Sequence, residues 1–303
     1  MVTPTTTSTD SPANGVIESA SQQELNMIDK ADYLDSLFSL EGKTALVTGG
    51  ATGIGYMITH ALVSAGAKVY IASRKLEACD KAAASFAGLS GSCIPFGADL
   101  SNEEGVVSLA AFIADNEPAL DILVNNSGRS WGAPLEQFPW KAWEDIMTLN
   151  VTAPFTLVRE LTPLLAAAGS ADNPSRVINI GSVMGTEPHG FPAYSYSASK
   201  AAIHHVTRYL SNELAAKHIT VNAIAPGPFP SGMTAFFTRD EKLTTAVTRG
   251  VPLGRLGRPQ DLAGLILCLC GISGAYITGT IIPLDGGMSA ARTLGLEQGI
   301  AAV

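Results

Sequence analysis

Tyr196 and Lys200 stand four residues apart in the run Tyr196-Ser197-Ala198-Ser199-Lys200. They head a predicted helix, so both side chains project from one face. An ammonium close to a phenol favours the phenolate and draws a pKa that starts near ~10 toward the working pH, where acid–base catalysis is efficient. The pair is suited to passing a proton to a carbonyl oxygen, with Tyr196 as the general acid. Tyr194 lies six residues from Lys200 and falls off that face. Ser182 follows a predicted strand at the sheet edge, where its hydroxyl can orient and polarise the same oxygen.

A second group of residues is suited to a phosphate-rich ligand. A predicted strand runs into Thr48-Gly49-Gly50-Ala51-Thr52-Gly53-Ile54-Gly55 and then into a predicted helix. Glycines let the turn close and the backbone approach a pyrophosphate, while the helix N-terminus supplies free N–H groups and partial positive charge. This makes Gly49, Ala51, Thr52, Gly53, Ile54 and Gly55 cofactor-binding candidates. About twenty residues further on, where a carboxylate would accept from an NAD ribose, the chain has Ser73-Arg74-Lys75. A guanidinium there pairs with a 2′-phosphate, so the expected cofactor is NADP(H).

These residues need a scaffold. Continuously apolar runs at Thr44–Thr48, Lys68–Ser73, Ser92–Phe96, Ile122–Asn125, Val177–Gly181, Thr220–Ala225 and Thr280–Leu284 read as strands covered on both faces. Helical patterns alternate with them at Ile54–Ala65, Leu76–Ala87, Glu103–Asn116, Trp140–Ala167, Ala198–Lys217 and Gln260–Cys270. The fold class is α/β: one doubly wound Rossmann-fold domain with a seven-stranded, mostly parallel sheet flanked by helices. It should span 37–303. Residues 1–36, rich in Ser, Thr, Asp and Asn, read as a disordered or loosely docked tail, with a short amphipathic patch at Tyr33–Phe38 that could lie on the domain.

Composition narrows the partners. Of 303 residues, 46% are apolar and 15% charged, enough for a large core without disulfide or metal staples. With 19 Lys+Arg against 27 Asp+Glu, the formal charge of −8 argues against nucleic acid. Cys79, Cys93, Cys268 and Cys270 form no C-x-x-C pair or disulfide framework, and no metal site is expected. No apolar run reaches membrane-spanning length, and the first residues lack the features of a secretory or mitochondrial leader, so the expected compartment is the cytoplasm.

The ordered set of motifs resembles the short-chain dehydrogenase/reductase family. It comprises T-G-x-x-x-G-x-G at Thr48–Gly55, Asn125-Asn126-Ser127-Gly128, Tyr196-Ser197-Ala198-Ser199-Lys200, Asp99-Leu100, Asn150, Ser182, Pro226-Gly227 and Asp285-Gly286-Gly287, over roughly 40–289. The spacing from Gly49 to Gly53 resembles the compact reductase branch. The resemblance implies a catalytic tetrad of Asn150, Ser182, Tyr196 and Lys200, in which Asn150 holds a proton-relaying water and Lys200 also holds the nicotinamide ribose. It implies that Asp99 and Leu100 lie beside the adenine and that Asn126 and Gly128 lie along the adenosine ribose. The segment containing Pro226, Gly227, Phe229 and Ser231 would line the nicotinamide. It also implies a homotetramer or dimer built through Trp140–Ala167, Ala198–Lys217 and the last strand.

The loop from Ser182 to Tyr196 and the segment after Pro226 supply substrate candidates: Met184, His189, Phe191 and Met233, with Phe229, Phe236 and Phe237 beside them. This apolar group suits a hydrophobic carbonyl compound. His204 and His205 read as packing or interface residues. The expected activity is NADP(H)-dependent reduction of a ketone or aldehyde, of the kind acting on CH–OH donors with NADP(+) (EC 1.1.1.-) in the opposite direction. The flavour of residues 181–185, 226–234 and 254–259 resembles β-ketoacyl and secondary-metabolite reductases, and also gluconate-type dehydrogenases. The alternatives are an oxidative polyol or sugar-alcohol dehydrogenase, an NADP(H)-sensing scaffold without turnover, and an interaction module acting through the tail.

Overall fold

Seven strands form one sheet in a computed structural model that describes residues 30–188, 192–232, 234 and 240–290. The strands are β1 (Thr44–Thr48), β2 (Lys68–Ser73), β3 (Ser92–Gly97), β4 (Ile122–Asn125), β5 (Ser175–Ile180), β6 (Ile219–Pro226) and β7 (Ile281–Leu284). Their order is β3-β2-β1-β4-β5-β6-β7 and every pairing is parallel. The chain builds outward from β1 to β3, then returns to the other side of β1 with β4. The carboxyl ends of β1 and β4 therefore flank the switch point where such sheets bind ligands.

Helices cover both faces because strands buried on two sides need two apolar layers. They are α1 (Lys30–Phe38), α2 (Gly53–Ser64), α3 (Leu76–Ser85), α4 (Glu103–Asn116), α5 (Trp140–Met147), α6 (Ala153–Ala168), α7 (Tyr194–Leu214), α8 (Glu241–Arg249) and α9 (Pro259–Cys270). One core layer joins Val47, Val69 and Ile178 of the sheet to Leu62 of α2, Cys79 of α3 and Ile266 of α9. The other joins Leu46, Leu123 and Val177 to Ile113 of α4, Leu161 of α6 and Leu214 of α7. The patch at Tyr33–Phe38 falls in α1, whose Leu37 carbonyl accepts from the Ser273 hydroxyl at 3.2 Å just past α9.

Three departures from the sequence pattern have physical causes. The single helix expected over Trp140–Ala167 is broken: a π-helical turn at Thr148–Thr152 separates α5 from α6. Pro154 has no N–H to give the carbonyl four residues back, so the ladder widens just before it. Helix α8 was not foreseen; it is short, its residues are largely exposed, and Asp240 caps its start by accepting from Lys242 N at 2.8 Å. Strand β5 begins two residues earlier than its apolar run, with Arg176 only 1% exposed. Its guanidinium donates to the carbonyls of Leu269 (3.1 Å) and Gly271 (3.0 Å), capping the C-terminus of α9 in place of an ion pair.

Candidate active site

The turn after β1 is shaped for close approach. Gly49 and Gly53 adopt φ of +66° and +55°, in the left-handed region that favours glycine. At Gly55 an added Cβ would sit 2.1 Å from the Gly49 carbonyl oxygen, so only glycine lets α2 start this close to the strand. Thr52, at the N-cap of α2, makes no side-chain cap bond, which leaves first-turn N–H groups free of a side-chain cap. Thr48 and Asn126 lock this turn to the end of β4. The Thr48 hydroxyl accepts from Asn126 N (2.9 Å) and Ser127 N (3.0 Å), and Asn126 Nδ2 donates to the Thr48 carbonyl at 2.9 Å.

A cavity of about 530 Å³ runs along the carboxyl edge of the sheet. Its wall takes in Gly49, Ala51, Thr52, Gly53, Ile54 and Gly55 from the turn, and Ser73, Arg74 and Lys75 after β2. Asp99 and Leu100 after β3, Asn126 and Gly128 after β4, and Pro226, Gly227, Phe229 and Ser231 after β6 line it too. Ser182, Tyr196 and Lys200 line it as well. Arg74 is exposed and enters no salt bridge among the described residues. Burial works against charge on Asp99, but two Ser101 hydrogen bonds, helped by Arg74 and Arg129, hold its carboxyl below the usual range.

The proton-handling residues come from three elements. Ser182 follows β5 and accepts from Met184 N at 3.2 Å. Tyr196 and Lys200 lie on the first turns of α7, with the Lys200 Nζ 5.6 Å from the centre of the Tyr196 ring. That Nζ donates to the Ile180 carbonyl at 2.6 Å. Burial pushes the Tyr196 phenol up, and the hydrogen bond with Ser182 pulls the other way, so the expected lowering by Lys200 is not what dominates here. The lysine is buried and engaged by a carbonyl. A phenol held protonated is a proton donor, which suits the acid role.

Burial pushes Lys200 down to about 8. Its positive charge is lost as pH rises through that value, so reduction should decline on the alkaline side of about 8. A kcat/KM profile against pH checks this, and Lys200→Arg, which keeps its charge, should lose that limb.

Asn150 sits in the π-helical turn and lines no part of the cavity wall. Its Oδ1 accepts from Arg129 N, and its Nδ2 donates to the Arg129 carbonyl and the Ser199 hydroxyl, each at 3.0 Å. The side chain thus ties the loop after β4 to α7 beside Lys200. Gly128 is held against it, since a Cβ there would lie 3.2 Å from Asn150 Oδ1.

Of the substrate candidates, Met184 is half-buried in a 3₁₀ turn and lines neither this cavity nor the groove described next. His189, Phe191, Met233, Phe236 and Phe237 lie outside the described residues. Phe229 is 2% exposed and packed so tightly on Gly257 that a Cβ there would meet the ring at 2.2 Å. It is core as well as cavity wall. Sequence reasoning missed a second, apolar groove of about 530 Å³ lined by Leu135, Phe138, Trp143, Pro188, Pro192, Ala193, Tyr194 and Ser197. It also missed Thr234, whose hydroxyl accepts from Ser231 N at 2.8 Å and donates to the Phe229 carbonyl at 2.7 Å, closing the proline-rich loop. Its only signal was a threonine near the position where Ser231 was read.

His204 lies one turn beyond Lys200, 4% exposed, with no hydrogen-bond partner for its Nε2 among the described residues. Burial, then the charges of Lys200 and Arg208, push its imidazole down to about 4 from an unperturbed 6.5. The folded chain refuses a proton that the unfolded chain accepts. Stability should therefore be intact above pH 6.5 and fall by roughly 3 kcal/mol as pH drops toward 4. Urea unfolding of wild type and His204→Gln across that range checks it; the variant should show a shallower decline.

The family model described as enoyl-(acyl carrier protein) reductase matches residues 49–289. The chain belongs to the short-chain dehydrogenase/reductase family. Among members of that family, the rhamnolipids biosynthesis 3-oxoacyl-[acyl-carrier-protein] reductase of Pseudomonas aeruginosa is 50% identical over 250 residues, covering 82% of this chain and 97% of that protein. The structure titled as the Pseudomonas aeruginosa RhlG/NADP active-site complex superposes with a TM-score of 0.82 at 49% identity, over 84% of this chain and 99% of the other. The gluconate 5-dehydrogenase of Gluconobacter oxydans is 32% identical, over 84% of this chain and 97% of its own length. Both branches anticipated from the motifs are thus present among its relatives.

Proposed function

We propose that this short-chain dehydrogenase/reductase reduces the 3-oxo group of an acyl thioester to the 3-hydroxy compound with NADPH. The observation that carries the reading is that Ser182 and Tyr196 line the same cavity as the glycine cradle. The cradle fits the cofactor: left-handed glycines, a helix start without a side-chain cap and the Arg74 guanidinium suit a pyrophosphate and a 2′-phosphate. When bound, NADPH supplies a hydride to the carbonyl carbon. Tyr196 gives its hydroxyl proton to the carbonyl oxygen, and Ser182 donates a hydrogen bond to that oxygen. Lys200 holds the nicotinamide ribose, and Asn150 positions α7 and the loop after β4. The 50% identity to a 3-oxoacyl reductase supports the thioester class over a polyol.

Fluorescence titration with NADPH and NADH, followed by NADPH consumption with a 3-oxoacyl thioester and with 5-ketogluconate, tests the reading. Tighter NADPH binding and consumption by the thioester are expected. Consumption by the ketogluconate alone would move the chain to the sugar-acid branch. Assembly of several copies belongs to the same proposal. Phe155 on α6 and Tyr209 on α7 are 44% and 68% exposed, apolar surface that a neighbouring copy would cover, and light scattering measures it. Among the described residues no helix is long and apolar enough to cross a membrane.

A further inference from the structure

The second groove, also about 530 Å³, has the size of a ligand site and, among the described residues, is lined by no charged one. Its walls are Leu135, Phe138, Trp143, Pro188, Pro192 and Tyr194. Phe138 stands edge-on to Tyr194 (5.2 Å between ring centres) and to Trp143 (6.1 Å), so the aromatic wall is braced. Leu135, Trp143 and Tyr194 are 68%, 40% and 39% exposed, an unusual amount of large apolar surface in one place.

What links this groove to the reaction is the chain itself. Ser197, on its wall, is the next residue after Tyr196, and successive helical residues are about 100° apart. Pro188 and Pro192 belong to the segment that joins Ser182 to Tyr196, and the Pro192 carbonyl accepts from Ala133 N at 3.2 Å, pinning Pro192 to the loop after β4. A molecule whose carbonyl lies at Ser182 and Tyr196 thus has an apolar surface directly around the end of α7. The cofactor cavity, by contrast, carries the charges of Arg74, Lys75, Asp99 and Lys200 on its wall.

We infer that this groove takes the aliphatic tail of the substrate and makes the enzyme selective for long-chain over short-chain 3-oxoacyl thioesters. The inference rests on the carbonyl-reductase reading above. Each pair of methylenes that leaves water for such a groove should improve kcat/KM by roughly tenfold until the groove is filled.

The test is steady-state reduction of 3-oxobutanoyl, 3-oxooctanoyl and 3-oxododecanoyl thioesters by the full-length protein, by Leu135→Glu and by Trp143→Ala, with thermal melting to show that the variants fold. In wild type, kcat/KM should rise steeply with chain length. In Leu135→Glu the ratio of dodecanoyl to butanoyl kcat/KM should fall by about thirtyfold or more, the loss of at least two such methylene pairs at roughly tenfold each, less some remaining contact. Trp143→Ala should lower the ratio in the same direction. A flat wild-type series, or equal slopes in wild type and a folded Leu135→Glu, would overturn the inference while leaving the carbonyl-reductase reading standing. A variant that changes the assembly mass in light scattering but not the slope would also overturn it, assigning the groove to contact between copies. If no thioester of any length consumes NADPH, the underlying reading fails first.

Discussion

Tyr196→Phe should lower kcat for 3-oxoacyl reduction by about a thousandfold, the middle of the range expected for a lost general acid. The substitution removes one oxygen from a half-buried ring. The ring keeps its place on the first turn of α7, and the wall formed by Gly49–Gly55 and Arg74 is untouched, so NADPH affinity should stay near that of wild type. In the proposed reaction the hydroxyl is the group whose proton is transferred, and burial already holds it in the protonated form. Ser182 remains to polarise the carbonyl, which is why a residual rate is expected. Steady-state kinetics paired with NADPH fluorescence titration make the check. Retention of more than a tenth of wild-type kcat would remove Tyr196 from the acid role.

Arg74→Asp should reverse cofactor preference. An Arg–phosphate pair of two charge-assisted hydrogen bonds, at about 1.5–3 kcal/mol each, is worth roughly a thousandfold in affinity. The new carboxylate would repel the 2′-phosphate and accept from a 2′-hydroxyl, which adds to NADH what is taken from NADPH. Lys75, beside it on the same wall, supplies the remaining positive charge. Titrations of wild type and variant with both cofactors should show NADPH weakened by about three decades and NADH improved. An unchanged ratio of the two constants would show that the cation after β2 does not face the phosphate.

The Tyr196–Lys200 pair and the glycine turn were legible because they depend on residue type at short range. Tyr196 and Lys200 share a helix face at any tertiary arrangement, and the Gly49–Gly55 turn needs its glycines for local backbone reasons. The same holds for the strands, whose continuous apolar runs reproduce β1, β2 and β4 to the residue. Failures came where a distant contact outweighs the local pattern. Arg176 is a poor core residue by composition, yet it is buried because α9 ends above it with open carbonyls. Phe229 reads as an available aromatic but is clamped by Gly257, 28 residues along the chain.

By itself the sequence determined the doubly wound sheet and the glycine turn, and it supplied the cation and the phenol on which the proposed function rests. These follow from periodicity, backbone permissiveness and side-chain chemistry acting over a few neighbours. Tertiary structure alone decided the electrostatic balance and the substrate surface. Burial, opposed at Tyr196 by the Ser182 hydrogen bond, and not spacing, sets the state of Lys200 and Tyr196. Leu135, Phe138, Trp143 and Tyr194 come from two stretches about fifty residues apart, and only packing of α5 against the start of α7 makes them one groove. A pattern read along the chain carries no record of such a meeting, because the energy that holds it lies in contacts between segments and not within either one.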